Sequence, residues 1–161
     1  MKLEGVPMKR DWKALVINIL IPLAVGTAAG LLSMGGMESF GAMNQPPLSP
    51  PAWVFPIAWT ILYTLMGISS YLIYSSESDA ESRALSTYGY QLLVNFLWPV
   101  FFFNFRWYFF AFLWLAFLWI LVAKMILEFG GISKIAALLN LPYLLWLSFA
   151  GYLNLGVWLL N

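Results

Sequence analysis

Charged residues are scarce in this chain, and their placement constrains its fold more than any other feature. Of 161 residues, 62% are hydrophobic, whereas only eight are Lys or Arg and seven are Asp or Glu. Nearly all of these charges lie in the N-terminal segment or in short gaps between long apolar runs. A chain with this pattern is expected to fold within a lipid bilayer.

Five apolar runs are long enough to cross ~30 Å of hydrocarbon as helices, which takes ~20 residues each. The runs are continuous and do not alternate in polarity, so they predict helices rather than the strands of a barrel. The sequence therefore predicts an all-α integral membrane bundle of five transmembrane helices, forming one domain over residues 1–161. The predicted spans are about 14–34, 51–75, 85–105, 107–127 and 134–160.

Several kinds of chemistry are excluded by residue types that the chain lacks. It contains no Cys and no His, which removes disulfides, thiol chemistry and the commonest zinc ligands, so we predict no metal site. A net charge of +1 predicts no nucleic-acid partner. No ionisable side chain lies near the centre of a predicted span, which argues against acid-pair hydrolysis, an ion channel and proton-driven transport.

Basic residues predict the orientation of the chain. The N-terminal segment resembles a signal peptide but lacks a clear cleavage site, so an uncleaved first span is expected. Seven Lys and Arg residues flank the spans on the side of the N-terminus, and Arg106 alone lies on the other side. The positive-inside rule then predicts a cytoplasmic N-terminus. We separately expect the membrane to be the cytoplasmic membrane of a prokaryote.

The first span and the loop after it each have two interpretations. Gly26 and Gly30 form a small-xxx-small pattern, which serves either tight packing within one bundle or the interface of a homodimer. The connection from Gly35 to Ser49 is either a lid over a binding site or a passive surface loop. Ser49, followed by two prolines, predicts the start of the second helix. Internal prolines predict helices bent around a cavity, although bent helices also simply pack: Pro56, Pro99 and Pro142.

Aromatic and amide side chains recur at helical spacing on three spans and predict a shared cavity. Amides that face lipid are costly, so these helix faces are expected to turn inward. Flat aromatic walls with a few amide groups suit a large, planar and mostly apolar ligand. The predicted faces carry Trp59, Tyr63, Met66 and Ser70 on the second span, Tyr88, Gln91, Asn95, Trp98 and Phe102 on the third, and Trp146, Ala150, Leu153 and Asn154 on the fifth.

Each of these aromatic and amide residues also has a purely structural interpretation. We favour ligand contact over packing for Trp59, Trp98 and Trp146 because they lie deep in the spans and beside polar residues. Asn95 alternatively bridges two helices, a common use of an amide in lipid. The remaining tryptophans are expected to anchor the membrane interfaces (Trp12, Trp107, Trp158) or to face lipid and fill packing gaps (Trp114, Trp119).

Three segments of the chain together resemble the TspO/MBR family, which includes the translocator protein (peripheral benzodiazepine receptor) and the bacterial tryptophan-rich sensory proteins. The first segment, PPLSPPAWVFPIAWTILYTLMG at 46–67, resembles the first loop and second helix of that family. The segments QLLVNFLWPVFF at 91–102 and LPYLLWLSFAGYLN at 141–154 resemble its third and fifth helices. The chain departs from the family pattern in lacking a Trp between the prolines of the loop. It also has no Lys or Arg after Tyr152, so the weak cholesterol-recognition pattern is missing.

The resemblance implies a five-helix bundle, often dimeric, with a pocket for porphyrins and for isoquinoline or benzodiazepine-type ligands. It implies that the first loop is the lid of this pocket, and that porphyrin or haem is a ligand rather than a required cofactor. By position it implies the pocket residues Trp59, Asn95, Trp98 and Trp146, with Tyr63, Phe101, Ala150 and Leu153 as further lining.

Three functions remain open on this resemblance. The first, which we favour, is a membrane receptor or sensor that binds tetrapyrroles. The second is a light-dependent porphyrin-degrading enzyme, with Trp59 and Trp146 as candidate catalytic residues. The third is a facilitator of tetrapyrrole or lipid passage, which the missing intramembrane carboxylates do not exclude.

Overall fold

A computed structural model describes residues 11–161, apart from the side chains at 38 and 39, and shows helices and no strand in that range. The basic residues 2, 9 and 10, on which the predicted orientation partly depends, lie outside the described residues. The elements in chain order are α1 (Trp12–Phe40), α2 (Val54–Tyr74), α3 (Glu81–Pro99), a π-helical turn (Val100–Asn104), α4 (Tyr108–Ile132), α5 (Lys134–Leu139) and α6 (Leu141–Leu160).

Four helical segments among the described residues are long and apolar enough to cross a membrane. They are Trp12–Met37, Val54–Tyr74, Tyr108–Ile132 and Lys134–Leu160, the last formed by α5 and α6 together. They correspond to four of the five predicted spans. The remaining predicted span, 85–105, corresponds to α3 and the π-helical turn, and α3 is less apolar because it begins with Glu81, Ser82 and Arg83.

The core lies where α2, α3, α4 and α6 meet. Its fully buried side chains include Met66, Leu118, Phe129 and Tyr143, one or more from each of α2, α4 and α6. Helix α3 adds Leu92 and Val94 to the same cluster. By contrast, α1 lies at the edge of the bundle and exposes most of its apolar side chains, as expected for a helix that faces lipid.

Two glycines bring α1 and α2 into close contact. A Cβ atom on Gly67 would lie 2.5 Å from Ile19 Cα and 2.7 Å from the Asn18 carbonyl oxygen, so only glycine lets the two backbones approach here. Gly26 contacts the ring of Tyr63 in the same way. One half of the small-xxx-small pattern therefore serves packing within this chain, and the predicted homodimer stays a prediction.

The first loop is shorter than the sequence predicted, and the second helix begins later. Helix α1 continues through Gly35 and ends at Phe40, so the loop comprises residues 41–53. Ser49 is not the N-cap of α2, because its hydroxyl donates to the Pro46 carbonyl oxygen at 2.8 Å within the loop. Pro56 consequently lies in the first turn of α2, where its missing N–H leaves no helical hydrogen bond unmade.

The other two internal prolines lie at interruptions between helical segments. Pro99 ends α3 and precedes the π-helical turn, in which the Phe105 N–H donates to the Val100 carbonyl oxygen at 3.0 Å. Pro142 lies in the first turn of α6, because the last predicted span is interrupted at Asn140. The predicted breaks at 99 and 142 are therefore present, the first as a widened turn and the second as a helix boundary.

We expect Gly67→Ala to lower the free energy of unfolding by about 1–3 kcal/mol, because its methyl group would push the backbone of α1 away from α2. Gly89→Ala is the matched control, since nothing lies within 4 Å of a Cβ there. The control should be neutral or stabilising by up to about 1 kcal/mol, from helix propensity alone. Unfolding of both variants in the same detergent would measure this difference, and equal stability would contradict the close approach.

Candidate functional site

A cavity of about 760 Å³ lies among α1, α2, α3 and α6, beneath the 41–53 loop. Its volume is in the range of ligand-binding pockets, ~300–1,000 Å³. The cavity reaches the protein surface between α1 and α2, where two of its lining residues, Thr27 and Thr60, are exposed. The aromatic side chains that line it are Phe40, Phe55, Trp59, Tyr63, Trp98, Phe102, Phe103 and Trp146.

The structure brings seven of the eight predicted ligand-binding residues to this one cavity. They come from three helices that are far apart in sequence, as the spacing of aromatic and amide residues predicted. The seven are Trp59, Tyr63, Asn95, Trp98, Trp146, Ala150 and Leu153.

Phe101 is the exception, and its prediction as a lining residue is corrected. Its ring packs instead edge-on against Phe110 and Trp114, with centroids 5.0 Å away in both pairs. The π-helical turn at 100–104 holds more residues per turn than an α-helix, so it changes which side chains point inward. Phe102 and Phe103 line the cavity in its place.

Four further residues of the predicted faces lie outside the cavity, in the packed interior. Met66 and Gln91 are completely buried, and Ser70 and Tyr88 are buried beside them in the bundle. These faces run the length of the helices, whereas the cavity occupies only the part near the 41–53 loop. Helical spacing therefore identified the correct faces but not the depth at which the hollow ends.

The tryptophans are held in place by aromatic contacts around the cavity. Trp59 stacks on Tyr63 with ring centroids 5.3 Å apart, and Trp98 stacks on Phe102 at 5.2 Å. Trp146 meets Phe55 edge-to-face at 6.0 Å. These contacts fix the ring planes before any ligand arrives, so the walls are rigid, flat and apolar.

Asn95 lies at the inner wall of the cavity and joins three helices through a buried polar network. Its side-chain oxygen accepts from the Tyr63 hydroxyl at 2.6 Å, and its amide nitrogen donates to the Tyr143 hydroxyl at 2.7 Å. Tyr143 in turn donates to the Gln91 side-chain oxygen at 2.9 Å. Asn95 therefore bridges helices, as its alternative structural interpretation predicted. One N–H and one oxygen lone pair of its amide remain for a ligand.

A second amide fixes the orientation of Trp98. The Trp98 indole N–H donates to the Asn154 side-chain oxygen at 3.1 Å, and the Asn154 amide nitrogen donates to the Tyr108 carbonyl oxygen at 2.8 Å. No such partner binds the indole N–H of Trp59 or Trp146 within residues 11–161. Both of these indoles border the cavity, so they are available as donors to a ligand.

The 41–53 loop forms one wall of the cavity and is tied to the end of α6. The Tyr152 hydroxyl donates to the Pro47 carbonyl oxygen at 2.7 Å. The backbone N–H of Asn44 donates to the Asn161 side-chain oxygen at 3.1 Å, and the Asn161 amide donates back to the Asn44 carbonyl oxygen at 2.9 Å. The loop therefore contributes to the site rather than passing over it, whereas its opening as a lid stays a prediction.

Sequence reasoning missed the contribution of α1, which supplies a whole wall of the cavity. This wall includes Gly26, Gly30, Ser33 and Met37, which recur at intervals of three or four residues. The spacing was visible, but small residues on an otherwise apolar span give no contrast between an inner and an outer face.

The sequence profile described as the TspO/MBR family matches residues 18–159. The chain belongs to the TspO/MBR family. It is 36% identical over 148 residues to the tryptophan-rich protein TspO of Archaeoglobus fulgidus, covering 91% of this chain and 96% of the relative.

Two further relatives span equally large parts of the chain. The tryptophan-rich sensory protein of Cereibacter sphaeroides is 32% identical over 154 residues, which is 96% of this chain and 95% of the relative. The translocator protein of Bos taurus is 32% identical over 155 residues, with 94% and 92% covered. Membership of the TspO/MBR family, together with the apolar helices, makes this an integral membrane protein.

We expect Asn95→Leu to lower the free energy of unfolding by about 1–3 kcal/mol, because it leaves the buried Tyr63 hydroxyl without an acceptor and removes the bond that the Tyr143 hydroxyl accepts. Asn104→Leu is the control: its amide also donates one hydrogen bond, to the Leu32 carbonyl oxygen, but at an exposed position. The control should change stability by no more than about 0.5 kcal/mol. Unfolding of both variants in detergent measures this difference. Equal losses of unfolding free energy would contradict a stabilising role for the buried network.

Proposed function

We propose that this TspO/MBR protein is a membrane receptor or sensor that binds porphyrins in the cavity between its helices. The observation that carries the proposal is the convergence of Trp59, Trp98 and Trp146 on one hollow of about 760 Å³. A flat macrocycle presents two large apolar faces, which stack on indole and phenyl rings and leave water when they do so. Smaller flat ligands of the isoquinoline or benzodiazepine type would use the same walls.

Metal-free porphyrin is a better match to this cavity than haem. Haem iron is usually held by His, Cys, Met or Tyr side chains, and the chain has no His and no Cys. Met37 and Tyr63 are the described lining residues of the other two types, and the Tyr63 hydroxyl already bonds to Asn95. We therefore expect haem to gain no strong axial ligand, and to bind no more tightly than the metal-free macrocycle.

The proposed topology has five crossings, with α3 and the π-helical turn as the third. Residues 81–104 would extend about 36 Å at the α-helical rise of ~1.5 Å per residue, enough to cross the hydrocarbon. The amides of Gln91 and Asn95 on this segment are buried and paired, which removes the cost of placing them in lipid. A cytoplasmic N-terminus in a prokaryotic cell membrane remains the expected orientation and location.

We expect Ala150→Phe to weaken binding of metal-free protoporphyrin at least tenfold, because the new ring occupies the cavity beside Trp146. Ala116→Phe is the matched control, since Ala116 is exposed on α4 and does not line the cavity. Equilibrium titration in lipid nanodiscs, followed by quenching of tryptophan fluorescence, measures both. Wild-type protein that binds no porphyrin, or equal affinities of the two variants, would contradict the proposal.

A second candidate function is light-dependent porphyrin breakdown, and the position of two indoles favours it. Trp59 and Trp146 both border the cavity, and neither indole N–H is bound within the described part of the chain. They would contact a macrocycle directly and exchange electrons with it after excitation. Dioxygen from solution would be the oxidant: cleavage of one methine carbon–carbon double bond into two carbonyl groups consumes one dioxygen molecule and no further reductant.

Illumination of the porphyrin complex in air separates the two functions. If the chain is an enzyme, the porphyrin absorbance is replaced by that of a ring-opened product. Trp146→Phe should then slow the conversion at least tenfold, and the control Trp158→Phe, exposed at the end of α6, should not. If the chain only binds porphyrin, the absorbance of the bound porphyrin decreases no faster than that of free porphyrin under the same light, and no ring-opened product forms.

A further inference from the structure

Helix α1 presents an open space and an unpaired hydroxyl side by side in the cavity wall. Nothing lies within 4 Å of the position that a Cβ atom on Gly30 would occupy, so the wall is recessed there. Ser33 follows three residues later, on the same helix face, and also lines the cavity. Its side chain is fully buried, and its hydroxyl has no hydrogen-bond partner.

The unpaired hydroxyl of Ser33 is unusual within this protein. Hydroxyls on helices usually donate to the carbonyl oxygen four residues earlier. In α1 itself Thr27 does so, to the Leu23 carbonyl oxygen at 2.8 Å, although Thr27 also lines the cavity. The same bond is made by Thr60, Thr64, Ser86 and Ser148.

An unpaired buried hydroxyl costs stability, so its presence calls for a partner that arrives with a ligand. Leaving such a group unsatisfied costs about 1–3 kcal/mol, and a bound acceptor removes that cost. The hydroxyl oxygen has no accessible surface in this structure, so an acceptor displaces no water there but must push aside the groups that cover it.

We propose that one edge of the bound molecule lies in the recess over Gly30 and accepts a hydrogen bond from Ser33. This deepens the proposed function and depends on it, since it names the part of the cavity that recognises a polar group of the guest. The group is an uncharged acceptor, such as an ester or amide carbonyl. No described lining side chain carries a charge that would neutralise a carboxylate at this depth.

Ser33→Ala tests the hydrogen bond, with Ser86→Ala on α3 as the matched control. The probes are protoporphyrin dimethyl ester, which is uncharged and carries carbonyl acceptors, and perylene, a flat hydrocarbon with none. In nanodiscs of one lipid composition, Ser33→Ala should weaken diester binding about three- to tenfold and leave perylene binding unchanged. Ser86→Ala should change neither, because the Ser86 hydroxyl is satisfied by its own helix and Ser86 does not line the cavity.

The unliganded protein provides a second readout for the same variant. Removing a hydroxyl that has no partner should raise the unfolding temperature of Ser33→Ala above that of the wild type. A lower unfolding temperature would show that Ser33 has a structural partner, and would overturn the proposal. Unchanged diester affinity, or an equal loss of diester and perylene affinity, would overturn it as well.

Gly30→Leu tests the recess, with Gly35→Leu as its control. Both glycines lie in α1 with nothing within 4 Å of a Cβ atom, but only Gly30 lines the cavity. Gly30→Leu should weaken binding of the diester at least tenfold or abolish it, and Gly35→Leu should leave diester binding unchanged. Equal effects of the two variants would contradict the recess.

The two proposals fail in different ways. If the wild-type protein binds neither probe nor protoporphyrin, the proposed function is wrong and this inference falls with it. If the wild type and Ser33→Ala bind the diester equally while Ala150→Phe does not bind, the cavity is the site but its polar contact lies elsewhere.

Discussion

The structure depends on one constraint: an amide or hydroxyl buried between these apolar helices is stabilised chiefly by pairing with another polar group of the bundle. The Tyr63, Asn95, Tyr143 and Gln91 side chains satisfy this constraint in an unbroken series of hydrogen bonds. A polar group left unpaired in hydrocarbon would cost up to several kcal/mol. The hydrogen bonds therefore favour the one arrangement of α2, α3 and α6 in which all of these side chains are paired. The network therefore sets the positions of the three helices that carry the tryptophans.

The hollow follows from what faces these three helices. Helix α1 closely approaches the bundle at Ile19, which contacts Gly67, at Gly26, which contacts the ring of Tyr63, and at Gly36, which contacts the backbone of Phe103. Between those points it presents mainly small residues, so the large rings opposite have no side chains to pack against. The loop residues close the remaining side through Pro46, which packs on Gly156 of α6. A cavity is thus the consequence of rings on one side and glycines on the other.

Much of the site could be predicted from sequence because its residues obey helical spacing. Trp59 and Tyr63 are four residues apart, as are Ala150 and Asn154, and Asn95 precedes Trp98 by three, so each pair shares a face. Phe101, which only the family resemblance implied, packs against Phe110 and Trp114 instead, whereas Phe102, which the helical spacing predicted, lines the cavity. Gly30 was assigned to helix packing and Ser33 was missed, because small residues on an apolar span do not distinguish a cavity wall from a packing face. The start of α2 was misplaced because Ser49 bonds within its own loop.

The central claim is that the aromatic walls enclose a guest, and intermolecular nuclear Overhauser effects test it most directly. The protein would be labelled at its Ala and Leu methyl groups and bound to metal-free protoporphyrin in nanodiscs. The account predicts contacts from the macrocycle to the methyl groups of Ala150 and Leu153, which line the cavity. Contacts confined to outward-facing methyl groups such as those of Leu20 and Leu31 would place the porphyrin on the lipid-exposed surface and contradict the account.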